Sequence, residues 1–237
     1  MNLDLLHRLL QTYPYAVAPS LKGLRPKFKV RAFDTLASTN QTLWEMAGQG
    51  AQAGTVVLAR QQTAGRGQRG KCWVSAPGGI YMSVLLEPDW DSAAAPLLTF
   101  TSSWGIATLL RRWHLPVDIK WPNDLVVKAH DAPWQLLKLG GILTESRTEG
   151  TRLSQAVVGV GLNYGNFSVS EEKLASATDL KTLLAAHTGG TDWSLELGIA
   201  TVLLGVWQWL CWHQQVGAEK FMAAYGQRLA HLGQTGQ

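Results

Sequence analysis

The chain has 237 residues, of which 46% are hydrophobic and only 16% are charged, and its formal net charge is +4. This length suits one large domain or two small ones, and the hydrophobic content excludes intrinsic disorder as the main character of the chain. The mild excess of basic residues favours phosphate-bearing ligands but is too diffuse to indicate nucleic-acid binding. Two cysteines cannot form a disulfide framework, and the absence of HExxH and CxxC motifs argues against a metal site built from such ligands.

Neither a signal peptide nor a membrane span is indicated by the sequence. Asp4, His7 and Arg8 interrupt the leucines of the N-terminal region, which therefore lacks the apolar core of a signal peptide. The most hydrophobic stretch, Leu197–Trp212, is shorter than the about 20 apolar residues that a span requires. We predict a buried core helix there, in a cytoplasmic protein without a membrane partner.

The pattern of apolar and turn-forming residues predicts the elements in chain order. Residues 1–30 are expected to form a short leader with a weak helix over Leu3–Leu10, and a second helix is expected to begin at Ser38, where Gln41 completes a capping box. Strands are predicted at Thr55–Ala59, Ile80–Leu86, Val117–Trp121, Leu125–Val127, Leu137–Glu145 and Ala156–Asn163, and further helices at Leu97–Trp113, Leu195–His213 and Ala218–Leu232. Because several strands follow one another without an intervening helix, we predict an α+β fold with a mixed or antiparallel sheet.

A glycine-rich segment over Gln61–Trp73 contains the densest group of reactive side chains. It fits a dinucleotide-binding pattern and nearly fits a phosphate-binding P-loop, but a strand follows it where both motifs require a helix. We therefore interpret it as a flexible loop that carries Arg66, Arg69 and Lys71 between glycines. Guanidinium groups suit phosphate or carboxylate oxygens, and Trp73 suits stacking on a base. The alternative is a solvated basic surface loop.

Three later segments combine polar residues or glycines with predicted strands. Lys120–Asp124 is expected to form a turn that places a cation, an amide and a carboxylate at one end of the sheet. Lys138–Glu145 has a lysine and paired glycines in an apolar strand, and Gly159–Asn163 again has glycines in a strand. Glycine within a strand often marks the close approach of a ligand. Each segment alone is weak evidence for a site.

Taken in order, these segments resemble the biotin protein ligase family, also called biotin–[acetyl-CoA-carboxylase] ligase. The matching motifs are Ser38–Asn40, Gly65–Gly70, Lys120–Asp124, Lys138–Leu143 and Gly159–Asn163. The resemblance implies a catalytic domain over residues 31–237, with a mixed sheet flanked by helices. It also implies condensation of biotin with ATP to biotinyl-5′-AMP, followed by transfer of biotin to a lysine of a biotin carboxyl carrier protein.

The resemblance also implies roles for individual residues. Arg66 and Lys138 would supply the positive charge that brings two anions together, while Asp124 would orient a lysine, bind Mg²⁺ that accompanies ATP, or assist deprotonation of the incoming amine. Biotin would be bound by Ser38, Thr39, Asn40, Gln62, Gly65, Arg66, Gly67, Gln68, Lys138, Gly141 and Gly159. ATP would be bound by Arg66, Arg69, Lys71, Trp73, Lys120, Asn123 and Asn163.

The sequence departs from the family in several places. About 30 residues precede the expected catalytic region, so we expect no winged-helix domain and no nucleic-acid partner, and the small C-terminal β-barrel of many members is expected to be missing or removed. Gln68 stands where well-known members have an arginine, and Gly165–Thr178 corresponds to a second mobile loop. The oligomeric state is left open between monomer and homodimer. The alternatives are an enzyme like lipoate ligase or octanoyltransferase, and a non-catalytic biotin-binding module.

Overall fold

A mixed sheet of eight strands organises the computed structural model, which describes residues 1–22, 26–165, 176–188 and 193–230. The sheet order is β1-β2-β3-β8-β7-β6-β5, with β4 paired to β8. Only β1 and β2 run parallel, and the other paired strands are antiparallel. The strands are β1 (Lys29–Leu36), β2 (Thr55–Gln62), β3 (Gly79–Leu86), β4 (Trp90–Asp91), β5 (Asp118–Lys120), β6 (Asp124–Lys128), β7 (Leu136–Glu149) and β8 (Arg152–Asn163). The predicted α+β class with a mixed sheet is confirmed.

Helices cover both faces of this sheet. Alternate residues of a strand point to opposite faces, so Val56 and Leu58 lie in the main core while Val57 lies in a smaller cluster beneath the second helix. The described helices are α1 (Leu3–Thr12), α2 (Thr39–Gly48), α3 (Ala95–Arg112), α4 (Leu180–Thr188) and α5 (Leu195–Gly226). The face that carries α2 is the one on which the motif residues gather.

The two most apolar helical segments are packed inside the fold. Ser92–Arg112 and Leu195–Trp212 are long and apolar enough to cross a membrane by length and composition, but 67% of each is buried. They cross closely, because a Cβ atom on Gly105 would lie 2.1 Å from the carbonyl oxygen of Gly205. The prediction of a buried core helix over Leu197–Trp212 is confirmed.

The N-terminal region contributes to the main core. Helix α1 confirms the predicted helix, and its Leu6 and Leu10 are buried against the same core as the sheet. Beyond it, the Tyr13 hydroxyl donates to Thr201 at 2.7 Å, and the Val17 amide donates to the Gln208 side chain at 2.9 Å. The division of the chain at residue 30 stays a prediction, but these contacts join the expected leader to α5.

Several predicted elements differ from the structure. Strand β1 begins at Lys29, inside the expected leader, and was missed because this edge strand is mostly exposed. The backbone of α5 is not helical at Gly217 (φ 78°, ψ 167°), which separates two helices as predicted, but the second ends at Gly226 and not at Leu232. Ser38 precedes α2 as predicted, but its hydroxyl makes no capping hydrogen bond. The capping-box prediction is therefore wrong.

Candidate active site

The residues singled out from the sequence meet in one cleft of about 640 Å³ on the face of the sheet that carries α2. The predicted residues that line it are Ser38, Thr39, Asn40, Gln62, Arg66, Gly67, Gln68, Arg69, Lys71, Trp73, Lys120, Asn123, Asp124, Lys138, Gly141, Gly159 and Asn163. Gly65 is outside this lining set and is buried within the loop, where a Cβ atom would lie 2.3 Å from the Trp73 carbonyl oxygen. The resemblance therefore selected residues that the fold brings together, although their individual roles stay predictions.

A buried, neutral polar network forms the end of the cleft beside α2. Gln62 Oε1 accepts from the Thr39 amide at 2.8 Å, which ties the start of α2 to strand β2. Ser83 Oγ lies 2.8 Å from Thr39 Oγ1 and 2.6 Å from Asn40 Oδ1. Because an amide oxygen only accepts, the Ser83 hydroxyl donates to Asn40. Thr39, Asn40 and Ser83 are all buried, so this end suits an uncharged ligand group with its own donors and acceptors.

The strand glycines make room for side chains of the protein. A Cβ atom on Gly159 would lie 2.1 Å from Asn40 Oδ1, and one on Gly161 would lie 2.5 Å from Trp73 Nε1. Gly159 lines the cleft and its contact with biotin stays a prediction, while the Asn40 amide occupies the space where a Gly159 side chain would lie. Both glycines let polar side chains lie directly on the sheet, and this contact forms the floor of the cleft.

The glycine-rich loop is held at both ends by backbone hydrogen bonds. The Trp73 amide donates to the Gly65 carbonyl at 2.9 Å, and the Gly67 amide donates to the Lys71 carbonyl at 2.7 Å. Between them Gln68–Gly70 forms a single 3₁₀ turn, with Arg69 at φ 55°. No α-helix follows, as the sequence predicted, so amides of a helix N-terminus are not available for phosphate here. The exposed Arg69 and Lys71 side chains supply the positive charge of the loop.

Two ion pairs hold the principal cations of the cleft. Lys138 Nζ lies 2.7 Å from Asp124 Oδ1, and Arg66 Nη2 lies 2.7 Å from Glu145 Oε1. Each of the two cations therefore has a carboxylate partner, and the expected role of Arg66 and Lys138 in supplying positive charge stays a prediction. Of the three roles left open for Asp124, this geometry supports the orientation of a lysine.

Lys138 is also fixed through its backbone and through an aromatic neighbour. Its amide donates to the Ser176 carbonyl at 2.8 Å, and its ammonium lies 5.2 Å from the centre of the Trp73 ring. Asn163 Nδ2 reaches the Thr178 carbonyl at 3.0 Å, which ties β8 to the same segment. The contact with Trp73 is a cation–π interaction, so the ammonium lies between a carboxylate and an aromatic ring. Most of the expected second loop, residues 166–175, lies outside the described residues.

The turn between β5 and β6 closes the opposite side of the cleft. The Trp121–Pro122 peptide bond is cis, and Asn123 Nδ2 donates to the Ile142 carbonyl at 2.9 Å. The Tyr225 hydroxyl donates to the Pro122 carbonyl at 3.3 Å, so the last part of α5 supports the turn. Burial raises the pKa of Tyr225 to about 12. Trp121 itself is exposed at the mouth of the cleft.

The sequence analysis missed two polar residues that contact the predicted site. Ser83 is fully buried within the apolar strand β3, and Glu145 contacts both Arg66 and Asn40. A polar residue inside an otherwise apolar strand was a visible signal for Ser83. Glu145 had no such signal, because it falls at the expected end of its strand, where charged residues are common.

Comparisons with known proteins agree with this geometry. Residues 32–163 match the family model of the Biotin/lipoate A/B protein ligase family. The bifunctional ligase/repressor BirA of Bacillus spizizenii is 34% identical over 158 residues, which are 66% of this chain and 46% of that protein. The biotin–[acetyl-CoA-carboxylase] ligase of Paracoccus denitrificans is 34% identical over 129 residues, which are 53% of this chain and 50% of that protein.

A solved structure shows the same fold over more of the chain. The biotin protein ligase from Aquifex aeolicus, in complex with biotin and ATP, superimposes with a TM-score of 0.67 at 26% identity and covers 86% of this chain and 80% of that one. The chain spans about half the length, or less, of the curated relatives it matches. From the family model, the fold and the gathered motifs, the chain belongs to the Biotin/lipoate A/B protein ligase family.

Proposed function

We propose that the cleft binds biotin and ATP, joins them into biotinyl-5′-AMP with release of pyrophosphate, and transfers biotin to a lysine of a biotin carboxyl carrier protein. The observation that carries this proposal is the union of two environments in one cleft. A neutral, buried polar network lies at Thr39 and Asn40, and the positively charged side chains of Lys138 and Arg66 line the same cleft. Support also comes from the names of the relatives from Bacillus and Paracoccus and from the Aquifex complex with biotin and ATP.

Biotin is expected to lie with its ureido ring toward α2. The ring is neutral and has both donors and acceptors, which suit the side chains of Ser38, Thr39, Asn40 and Gln62. Its carboxylate would then point toward the ammonium of Lys138, beside Gly141. An ionic contact there is favourable because Lys138 is held in place by Asp124 before the ligand arrives.

ATP is expected to lie over the basic side of the cleft. Arg66, Arg69, Lys71 and Lys120 face its phosphates, with Trp73, Asn123 and Asn163 around the nucleotide. Mg²⁺ would arrive with the nucleotide as part of the substrate, since this ion is usually bound through substrate phosphates and one or two carboxylates. The described residues contain no cluster of three or more metal-ligating side chains. Asp124 is the carboxylate best placed to contact the ion.

The chemistry needs charge stabilisation more than a nucleophile from the protein. A biotin carboxylate oxygen attacks the α-phosphorus of ATP, a new O–P bond forms, and pyrophosphate leaves with the electron pair of the broken bond. The amine of the carrier lysine then attacks the acyl carbon, loses a proton, and displaces AMP. Arg66 and Lys138 would lower the repulsion between the two anions of the first step. Deprotonation of the amine by Asp124 would require this carboxylate to part from Lys138 first.

Other features of the proposal stay predictions from the sequence. They are the cytoplasmic location, the absence of nucleic-acid and membrane partners, and a state of monomer or homodimer. The family model also covers lipoate ligases, so the test must compare the two acids.

The proposed function is tested by offering labelled biotin or labelled lipoate with ATP and a purified carrier domain. We expect label from biotin on one carrier lysine, identified by peptide mass spectrometry, and none from lipoate. Label from lipoate alone would assign the cleft to the other branch of the family. Biotin binding without any transfer would indicate a non-catalytic binding module.

A further inference from the structure

We propose that Glu145 is a positioning residue that holds Arg66 over the cleft and links it to the buried polar network at Asn40. This inference rests on the proposed function and adds to it a residue outside the glycine-rich loop. Glu145 is the last residue of the strand segment Lys138–Glu145, and only 23% of its side chain is exposed.

The two carboxylate oxygens of Glu145 have different partners on different elements. Oε1 lies 2.7 Å from Arg66 Nη2, on the glycine-rich loop. Oε2 accepts from Asn40 Nδ2 at 2.8 Å, on helix α2. One side chain on β7 therefore bridges the glycine-rich loop and the helix that forms the neutral end of the cleft. A carboxylate is suited to this bridge because both of its oxygens accept hydrogen bonds.

The Asn40 amide transmits this bridge into the pocket. Its oxygen accepts from Ser83 at 2.6 Å, and its nitrogen donates to the Leu143 carbonyl at 3.3 Å as well as to Glu145. These contacts fix which end of the amide faces Glu145. A ligand group that forms hydrogen bonds with this network would contact Asn40, and Asn40 is joined to Glu145 by a direct hydrogen bond. A ligand bound at the neutral end is therefore connected to Arg66 through Asn40 and Glu145.

The ion pair positions Arg66 but uses only part of its hydrogen-bonding capacity. A guanidinium has five N–H donors, and the contact with Glu145 is made by Nη2 alone. About half of the Arg66 side chain is exposed and Arg66 lines the cleft, so donors remain for a phosphate or carboxylate bound there. The hydrogen bonds of Gly65 and Gly67 hold the backbone on either side of Arg66, whereas its guanidinium is held by Glu145. We therefore assign Glu145 to retention of the reactive adenylate through Arg66.

The test separates the two contacts of Glu145 by substitution. In Glu145→Gln the amide keeps an acceptor for Asn40 but loses the charge that attracts Arg66. In Glu145→Ala both contacts are lost. Glu149→Gln is the matched control, because this exposed glutamate lies on the same strand and outside the cleft lining. For each purified protein we measure the biotin Kd by calorimetry and the dissociation rate of preformed biotinyl-5′-AMP.

The expected results differ among the variants. Glu145→Gln should release the adenylate about threefold to fivefold faster than the wild type, with a biotin Kd within about twofold. Glu145→Ala should show the faster release together with weaker biotin binding, and Glu149→Gln should match the wild type. In an Arg66→Ala background, Glu145→Gln should add nothing to the release rate, because Glu145 acts through Arg66.

Two results would overturn the assignment. One is a Glu145→Gln protein that releases the adenylate at the wild-type rate, and the other is an equal increase with and without Arg66. A wild-type protein that forms no biotinyl-5′-AMP would overturn the proposed function, and this inference with it. Formation of the adenylate by the wild type followed by either of the first two results would overturn this inference alone.

Discussion

Replacement of Lys138 by alanine should abolish most adenylate formation while the fold is kept. The ammonium of Lys138 lies 2.7 Å from Asp124 Oδ1 and 5.2 Å from the Trp73 ring centre, in the cleft that we assign to the reacting groups. Its side chain is 38% exposed, so the ion pair itself contributes only about 0–1 kcal/mol to folding stability. The main loss is therefore expected in catalysis.

The expected fall in the rate of adenylate formation has two causes, and both lower the rate. Removal of one preorganised donor aimed at developing charge costs about 100-fold to 1,000-fold in rate, or about 2.7–4 kcal/mol. The substitution also leaves the Asp124 carboxylate without its cation, next to the expected position of another carboxylate. A Lys138→Ala, Asp124→Ala double variant separates these effects, because it removes the stranded negative charge. We expect it to recover part, but not most, of the lost rate.

The assay is biotin-dependent exchange of labelled pyrophosphate into ATP, with circular dichroism and a thermal midpoint to verify folding. Lys128→Ala is the control, since this exposed lysine lies on the neighbouring strand β6 and outside the cleft lining. We expect at least a 100-fold lower exchange rate for Lys138→Ala and an unchanged rate for Lys128→Ala. Wild-type exchange by a correctly folded Lys138→Ala protein would refute the reasoning.

Three further predictions concern ligand coupling, the loop and alkaline stability. Biotin should tighten the binding of a non-hydrolysable ATP analogue by about 1–3 kcal/mol, because the loop Gly65–Lys71 is already ordered by biotin when the nucleotide binds. Equal calorimetric affinities with and without biotin would contradict this. Gln68→Arg should slow the release of biotinyl-5′-AMP about tenfold, or about 1.4 kcal/mol, because a charged donor replaces a neutral one in the 3₁₀ turn. It should also reduce stray labelling of bystander lysines, and unchanged release from an active variant would exclude this role. Burial raises the pKa of Tyr81 from about 10 to about 12, so its contribution to stability is complete below pH 10 and is lost as the pH rises toward 12. Tyr81→Phe should therefore show a shallower fall of unfolding free energy between pH 10 and 12 in urea titrations, and identical slopes would show that this hydroxyl does not titrate with unfolding.

The sequence predicted the central sheet well because its strands are apolar and β-branched and are bounded by turn residues. It predicted β1 and α4 poorly for different reasons. Strand β1 is an exposed edge that pairs only with β2, so no buried face imposes a strong pattern on it. Helix α4 was not predicted although its sequence contains a signal. Asp179 is a suitable N-cap, and its side chain accepts from the Thr182 amide, while Leu180, Leu183 and Leu184 have helical spacing and are buried.

The membership of the site could be predicted from the motifs, but its internal contacts could not. Ordered motifs identified the lining residues, and they carry no information on pairing between distant positions. The ion pair of Arg66 with Glu145 joins a loop to a strand 79 positions away in the sequence, and only the register of the folded sheet brings the two together. The use of Gly159 to admit Asn40 has the same origin, since the glycine itself is compatible with either a ligand or a side chain above it.

The central claim is that this cleft activates biotin with ATP. Its most direct test is the release of pyrophosphate by the purified protein when ATP is supplied with biotin, lipoate or neither acid. The account predicts pyrophosphate release that depends on biotin, accompanied by biotinyl-5′-AMP in the mass spectrum, with only background release from the other two mixtures. Background release with biotin, from a folded protein that binds it, would contradict the account.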